Sequence, residues 1–228
     1  MSYSLRADLH THTTWSRHRH GKGSIEENVR AALELGLKAV AITDHGPAQL
    51  RYGVADLPRY LADVEAAKAA FADRIDVKTG LECNLLGLNG QTDLPAQFAD
   101  RLDVKILGFH RFIRPSGLRS FWAFYPARMT HTASKIACTD ALIHAITKTE
   151  FSFISHPGHL FPVDFKELAR ACAATDTLLE INESHAGFTP ADIALCAQQG
   201  ARFIVSSDAH RPEHVGRTPL AIQRAQEA

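Results

Sequence analysis

The feature that most restricts the fold of this chain is a rhythm: short apolar or β-branched runs alternate with longer helical patterns along its whole length. The runs that predict strands are Leu5–Leu9, Lys38–Thr43, Ile75–Leu81, Val104–Phe109, Phe151–Ser155, Thr177–Ile181 and Arg202–Ser206. Alternation of this kind builds a parallel sheet with its helices outside. Between the first two runs, Ser24-Ile25-Glu26-Glu27 has the form of a capping box. Val29, Leu33 and Leu37, with Gly36 as the stop, complete an amphipathic helix. Asp56-Leu57-Pro58 opens a helix running to about Asp73, and Thr189-Pro190 opens one that stops at Gly200. One long helical pattern covers Pro126–Lys148, including His131 and His144, and a last one covers Pro219–Ala228. Leu86–Leu94 and Arg111–Phe124 read as loops on the side where strands end. No repeat, low-complexity tract or linker interrupts the pattern, so residues 1–228 are expected to form one domain. With no eighth strand before the chain stops, the barrel is expected to have seven units, or else the chain is truncated.

Charge excludes some functions. Twenty-five basic and twenty-five acidic residues cancel, so long nucleic acid and anionic membrane are not expected partners. No stretch of about 18 apolar residues and no leader-like start is present, and the chain is expected to be cytoplasmic. Cys83, Cys138, Cys172 and Cys196 lie far apart without a CxxC pair, which speaks against a disulfide framework or a thiolate zinc site. Thirteen histidines is the abnormal number, and it points to metal or acid–base chemistry.

In α/β barrels the reactive groups lie just past the carboxyl ends of the strands, where all the ends converge. Here the ends read Asp8-Leu9-His10-Thr11-His12, Thr43-Asp44-His45, Gly80-Leu81-Glu82, Gly108-Phe109-His110, Ser155-His156, Glu180-Ile181-Asn182-Glu183 and Ser207-Asp208-Ala209-His210. Every end carries a metal-competent residue. H-x-H and D-x-H in an extended segment put both ligands on one side. Imidazole with carboxylate and no thiolate suits Zn, Mn or Fe in a hydrolytic site. Polar residues do gather at strand ends, and a single histidine there is commonly bonded to backbone. The same coincidence at consecutive ends is much harder to explain that way. Asp8 and Asp44 could orient neighbouring imidazoles, although strand alternation could equally turn them into the surrounding layer.

DLHTHT, ITDHGP, GLECN, LGFH, ISHPG, LEIN and SSDAH, spread from Asp8 to His210, resemble the PHP (polymerase and histidinol phosphatase) metallohydrolases. The likeness is to small stand-alone members with a trinuclear site. It implies a distorted seven-stranded (β/α)7 TIM-like barrel and nine metal ligands: His10, His12, His18, His45, Glu82, His110, His156, Asp208 and His210. One divalent transition metal, zinc foremost with Mn or Fe as alternatives, would take His10, His12, Glu82 and Asp208. A second would take Glu82, His110 and His156, and a third His18, His45 and His210. The family interval after His12 selects His18 over His20. A hydroxide bridging two of the metals would be the nucleophile for small phosphomonoesters, with Glu82 bridging the metals and Asp208 able to shuttle a proton. His159 is a candidate proton donor to the leaving group. Arg111, Arg114, Arg211, Glu183 and His185 are candidates for binding a small phosphorylated substrate. Phe121–Tyr125 could be a lid or a core anchor.

Three other readings remain open: a nuclease or phosphodiesterase on the same site, a non-catalytic metal-binding domain, and an amidohydrolase. The last usually needs a lysine where this chain has His110. The sequence sets neither the oligomeric state, the native metal nor the particular substrate.

Overall fold

The computed structural model describes residues 5–130 and 134–228, and for residues 125–130 the backbone alone. Seven parallel strands, β1 (Ala7–Asp8), β2 (Ala39–Ile42), β3 (Asp76–Asn84), β4 (Val104–Gly108), β5 (Phe153–Ile154), β6 (Leu178–Asn182) and β7 (Phe203–Ser206), pair in chain order. The sheet curls back on itself. His12 N donates to Ala209 O at 2.8 Å, and a parallel bridge joins Thr11 to Ala209, so the chain past β1 meets the chain past β7. Asp8 strengthens this seam by accepting from the backbone of Ser207 and Gly216 and from the Ser207 hydroxyl. The result is the expected distorted (β/α)7 barrel.

Helices α1 (Ile25–Glu34), α2 (Leu57–Phe71), α3 (Leu118–Thr130), α4 (Lys135–Lys148), α5 (Phe165–Thr175), α6 (Pro190–Gln198) and α7 (Pro219–Glu227) surround it. The Ser24/Glu27 capping box is formed as expected, and Gly36 follows α1 in a left-handed conformation, φ 72°. Thr189 and Asp192 make a second capping box at α6.

Three expectations are corrected. The pattern Pro126–Lys148 is not one helix: Thr130 ends α3 and Ser134 caps α4, with His131 outside the described residues. Arg111–Phe124 is loop only up to Gly117, because α3 begins at Leu118. There Phe124 is fully buried edge-on to Phe109, ring centroids 5.3 Å apart, which makes it a core anchor. Strand β3 runs on to Asn84, past the Leu81 limit read from apolar residues, because Glu82 and Asn84 face the barrel mouth while Cys83 and Leu85 stay in the core. Among the described residues no helix is long and apolar enough to cross a membrane.

The apolar interior has two parts. The larger cluster lies between strands and helices, and a smaller one of Ala41, Val104, Ile106 and Phe153, joined by Leu9, Leu178 and Ile204, fills the barrel. Alternation along a strand carries the inward direction upward from these residues. On β6, inward Leu178 is followed by inward Glu180 and Asn182. On β4, Val104 and Ile106 lead to Gly108, whose missing side chain matters: a Cβ there would stand 2.5 Å from His110 Cε1 and 3.0 Å from Glu82 Oε1. The barrel is thus apolar at its base and ionisable at its mouth.

Candidate metal centre

Glu82 sits at the middle of the mouth, fully buried on β3. Its Oε1 lies 3.4 Å from His10 Nε2, 3.1 Å from His110 Nε2 and 3.1 Å from His156 Nε2. Its Oε2 lies 2.8 Å from His45 Nδ1 and 3.5 Å from His12 Nε2. Five imidazoles delivered by β1, β2, β4 and β5 ends therefore converge on one carboxylate. Asp208 Oδ1 is 3.1 Å from His12 Nε2 and 3.6 Å from His10 Nε2, and His210 Nδ1 approaches it at 3.6 Å. His12 stacks between His45 and His210, centroids 4.4 and 4.3 Å away.

Several rings are held from behind so that the other nitrogen points into the cluster. His10 Nδ1 is 2.6 Å from Glu180 Oε1, His110 Nδ1 is 2.8 Å from Asn84 Oδ1, and His210 Nδ1 is 2.9 Å from the carbonyl of Asp208. Asn84 is itself fixed by Asp93, which also accepts from Ala48 N at 2.9 Å. Such outer partners set the tautomer that a metal ligand needs. Sequence reading did not single out Glu180 or Asn84. The signal for Glu180 was available: a carboxylate between apolar Leu179 and Ile181 inside a strand is costly to bury unless it is paired. Asp8 and Asp44 turn away from the imidazole rings. Asp44 instead accepts from the backbone and hydroxyls of Thr13 and Ser16, organising the loop after β1.

The electrostatics match a cation site. Burial pushes the Glu82 carboxyl up, but His110, His10 and His45 outweigh it and hold the group well below the usual range. Asp208 is held well below in the same way, against its burial, by His10, His12 and His185. Burial pushes the imidazole of His45 down to about 4, and that of His12 far down, leaving neutral rings with lone pairs to offer. His10 goes the other way, because Glu180, Asp208 and Glu82 outweigh its burial. His12 Nδ1 and His45 Nε2 are buried without a hydrogen-bond partner, and His45 Nδ1 and Glu82 Oε2 have only each other, 2.8 Å apart. Nitrogen faces nitrogen at 3.1 Å between His10 and His12 and at 2.9 Å between His20 and His210. Unpaired acceptors packed this tightly fit bound cations. The triads His10/His12/Asp208, His12/His45/His210 and His45/Glu82/His110 each bring ligand atoms within 4.8 Å of one another.

The geometry brings His20, rather than His18, to the mouth. His18 and Arg19 both adopt left-handed backbone, φ 56° and 59°, and this tight turn leaves His18 exposed while swinging His20 back over the mouth. His20 meets His210, lies 5.1 Å from the His45 ring, and stacks on Tyr52 with centroids 3.9 Å apart at 8°. Counting six residues from His12 assumed a loop without such a turn.

A cavity of about 620 Å³ opens above the cluster, and Arg111, His159 and His185 line it. His185 Nε2 is 3.4 Å from Asp208 Oδ2, and its ring packs 4.0 Å from that of His159. Burial, with His185 and His156 alongside, pushes the His159 imidazole down to about 3, so it is neutral near pH 7. Three expected substrate contacts are not in the lining. Glu183 accepts from Ala221 N at 2.8 Å and so anchors the start of α7. Arg211 points to Glu213, 3.5 Å away, and Arg114 is exposed beside Ala48.

A buried histidine and carboxylate cluster at the carboxyl end of a parallel barrel has the donors to hold metal ions. Residues 8–189 match the PHP domain model, and the chain belongs to that family. It is 30% identical over 186 residues, 81% of this chain, to a probable phosphatase of Shewanella baltica, and the match spans only 63% of that relative's length. A probable phosphatase of Shewanella loihica is 30% identical over 96% of this chain and 84% of its own. The crystal structure of histidinol phosphate phosphatase from Lactococcus lactis, complexed with zinc, L-histidinol and phosphate, shares the fold. Its TM-score is 0.67 at 18% identity, covering 98% of this chain and 92% of that one.

Proposed function

We propose that this protein is a metal-dependent phosphatase that hydrolyses small phosphomonoesters in a trinuclear site. The observation that carries the reading is Glu82, a buried carboxylate with five imidazole nitrogens within 3.5 Å of its two oxygens. One ion would be held by His10, His12, Glu82 and Asp208, a second by Glu82, His110 and His156, and a third by His20, His45 and His210. The donor set suits zinc, with manganese or iron as alternatives. Bound ions would supply Lewis acidity toward phosphoryl oxygens and a water acidified toward neutrality.

The chain supplies the rest. Glu82 joins two of the ligand groups, and Glu180, Asn84 and the Asp208 carbonyl hold imidazoles in the orientation each ligand needs. Arg111 offers a guanidinium to a phosphate oxygen from the cavity wall. His159 and His185 border the space where the alcohol departs. The phosphatase names of the relatives and the zinc, histidinol and phosphate of the Lactococcus structure support the same reading. So does the lining of the cavity, in which Arg111 is the one lysine or arginine among the described residues, unlike a basic groove.

The experiment is to reconstitute the protein with zinc or manganese, count bound metal, and measure hydrolysis of a phosphomonoester, a phosphodiester and single-stranded DNA side by side. Close to three ions per chain, monoester preference, and loss of activity with chelator are expected. Fewer than two ions would refute the trinuclear site, and preference for DNA at equal metal content would make the protein a nuclease.

A further inference from the structure

Asp93, in the loop that follows β3, reaches the histidine cluster through a second side chain. It accepts three hydrogen bonds: from Asn84 N at 2.5 Å on Oδ1, and from Asn84 Nδ2 at 2.7 Å and Ala48 N at 2.9 Å on Oδ2. The loop doubles back to make this possible. An antiparallel bridge joins Leu85 to Thr92, and Asp93 N donates to Asn84 O at 3.3 Å, which sets the carboxylate beside the last residue of β3. The loop after β2 lies on the same carboxylate from the other side. A Cβ on Gly46, the residue after His45, would stand 2.5 Å from Asp93 Oδ2, and Gly46 N donates to Glu82 O at 2.7 Å.

The order of donors and acceptors gives these contacts a direction. A carboxylate only accepts, so Asp93 draws the NH2 half of the Asn84 amide and leaves its carbonyl half facing His110. That carbonyl lies 2.8 Å from His110 Nδ1 and also only accepts, so it holds a ring proton on Nδ1. Nε2, 3.1 Å from Glu82 Oε1, is then the nitrogen left for a metal. Among the described residues only Asp93 and His110 bond to the Asn84 amide group. An imidazole can meet either half of an amide by changing tautomer. The carboxylate cannot, and it therefore decides which way the amide points.

We propose that Asp93 is a positioning residue of the metal centre: through the Asn84 amide it keeps a proton on His110 Nδ1 and so reserves Nε2 for a metal ion. The proposal rests on reading the cluster as a metal centre and extends it to a side chain that touches none of the ligand rings.

The test is Asp93→Asn. The 2.5 Å contact with Asn84 N leaves no place for an NH2 group, so the new amide should turn its NH2 to the Oδ2 side, where Asn84 can flip to accept from it. The Asn84 NH2 would then face His110 Nδ1 and drive the ring proton to Nε2. The double variant Asn84→Asp/Asp93→Asn puts a carboxylate against His110 and returns the proton to Nδ1. Both variants lose the Ala48 bond alike, so a purely structural role for Asp93 would leave them equally impaired. Protonation of His110 Nδ1 is read in metal-free protein from the 15N shifts of ring-labelled histidine, with the signal assigned by its absence in His110→Gln. Zinc binding is read by competition with a chelator. Wild type should carry the Nδ1 proton, Asp93→Asn should lose it and bind one of its zinc ions about 10–100-fold more weakly, and the double variant should recover both. Asn84→Ala, which leaves Asp93 both backbone donors, serves should Asp93→Asn not fold, and it should weaken the same ion by a similar factor. A protonated Nδ1 in Asp93→Asn, equal zinc losses in the single and double variants, or unchanged zinc affinity in Asn84→Ala would overturn the proposal. Absence of zinc binding by wild type would instead count against the metal-centre reading, while the Nδ1 proton still decides the role of Asp93.

Discussion

Replacing Glu180 with glutamine tests whether an outer carboxylate controls the metal centre. Glu180 is fully buried and accepts four hydrogen bonds: from His10 Nδ1 at 2.6 Å and Ser206 Oγ at 2.5 Å on Oε1, and from His156 N at 2.6 Å and Asn182 Nδ2 at 2.8 Å on Oε2. Glutamine keeps the shape but turns one oxygen into an NH2 group. On the Oε2 side that group would oppose a backbone N–H that has no alternative, and Asn182 cannot flip because its Oδ1 accepts from Ser184 N and His185 N at 2.9 Å each. The NH2 should therefore take the Oε1 side, where the Ser206 hydroxyl can rotate and His10 can change tautomer. The cost then falls on the metal, because the His10 proton moves to Nε2, the nitrogen that faces Glu82 and Asp208. Loss of such a partner lowers metal affinity by about 10–100-fold. Losing the charged acceptor should also lower the stability of metal-free protein by about 1–3 kcal/mol, or roughly 2–12 °C in Tm for a chain of this size. Zinc affinity is read by competition with a chelator, and Tm by thermal unfolding without metal. A variant that binds zinc within about twofold of wild type while its Tm falls would refute the tautomer argument and leave Glu180 a purely structural acceptor.

Three further outcomes are expected. His20→Ala should lose one metal per chain by elemental analysis while His18→Ala keeps the full complement, and the reverse would restore the interval-based choice. Glu82→Gln should abolish most phosphate release, whereas Arg211→Ala, which removes a side chain paired with Glu213, should change kcat/KM by less than about threefold; equal losses would contradict the central role of Glu82. Asp103 accepts from Lys68 Nζ at 2.8 Å and Thr79 N at 2.9 Å, and these bonds outweigh its burial and lower its pKa. A lowered carboxylate stabilises the fold above its unfolded pKa and loses that contribution as pH falls through the folded value. Asp103→Asn should thus cost up to about 1 kcal/mol at pH 7, discounted for solvent screening of a half-exposed pair. The cost should vanish at the acid end of a urea-unfolding series, and a cost that does not change with pH would remove the charge from the explanation.

Much of this protein is written locally. A capping box, Pro at the starts of helices and period-two strands specify the units, and their alternation specifies a parallel barrel because adjacent parallel strands need a crossover between them. The clustering of side chains at the strand ends was legible for the same reason: whatever sits just past the carboxyl end of a barrel strand must come to one mouth, so His10, His12, His45, Glu82, His110, His156, Asp208 and His210 converge without any knowledge of loops. What needed the tertiary structure was the facing of each remaining side chain. His20 rather than His18 reaches the mouth because two consecutive left-handed residues, held by contacts to distant segments, redirect the loop. Glu183 leaves the site because α7, late in the chain, offers it an unpaired backbone N–H. Glu180 becomes the partner of His10 only once β6 and β1 meet across the closed barrel, 170 residues apart in sequence. Direction along a strand is a local property with a period of two, but a partner across the barrel is decided by closure, and closure is a property of the whole chain.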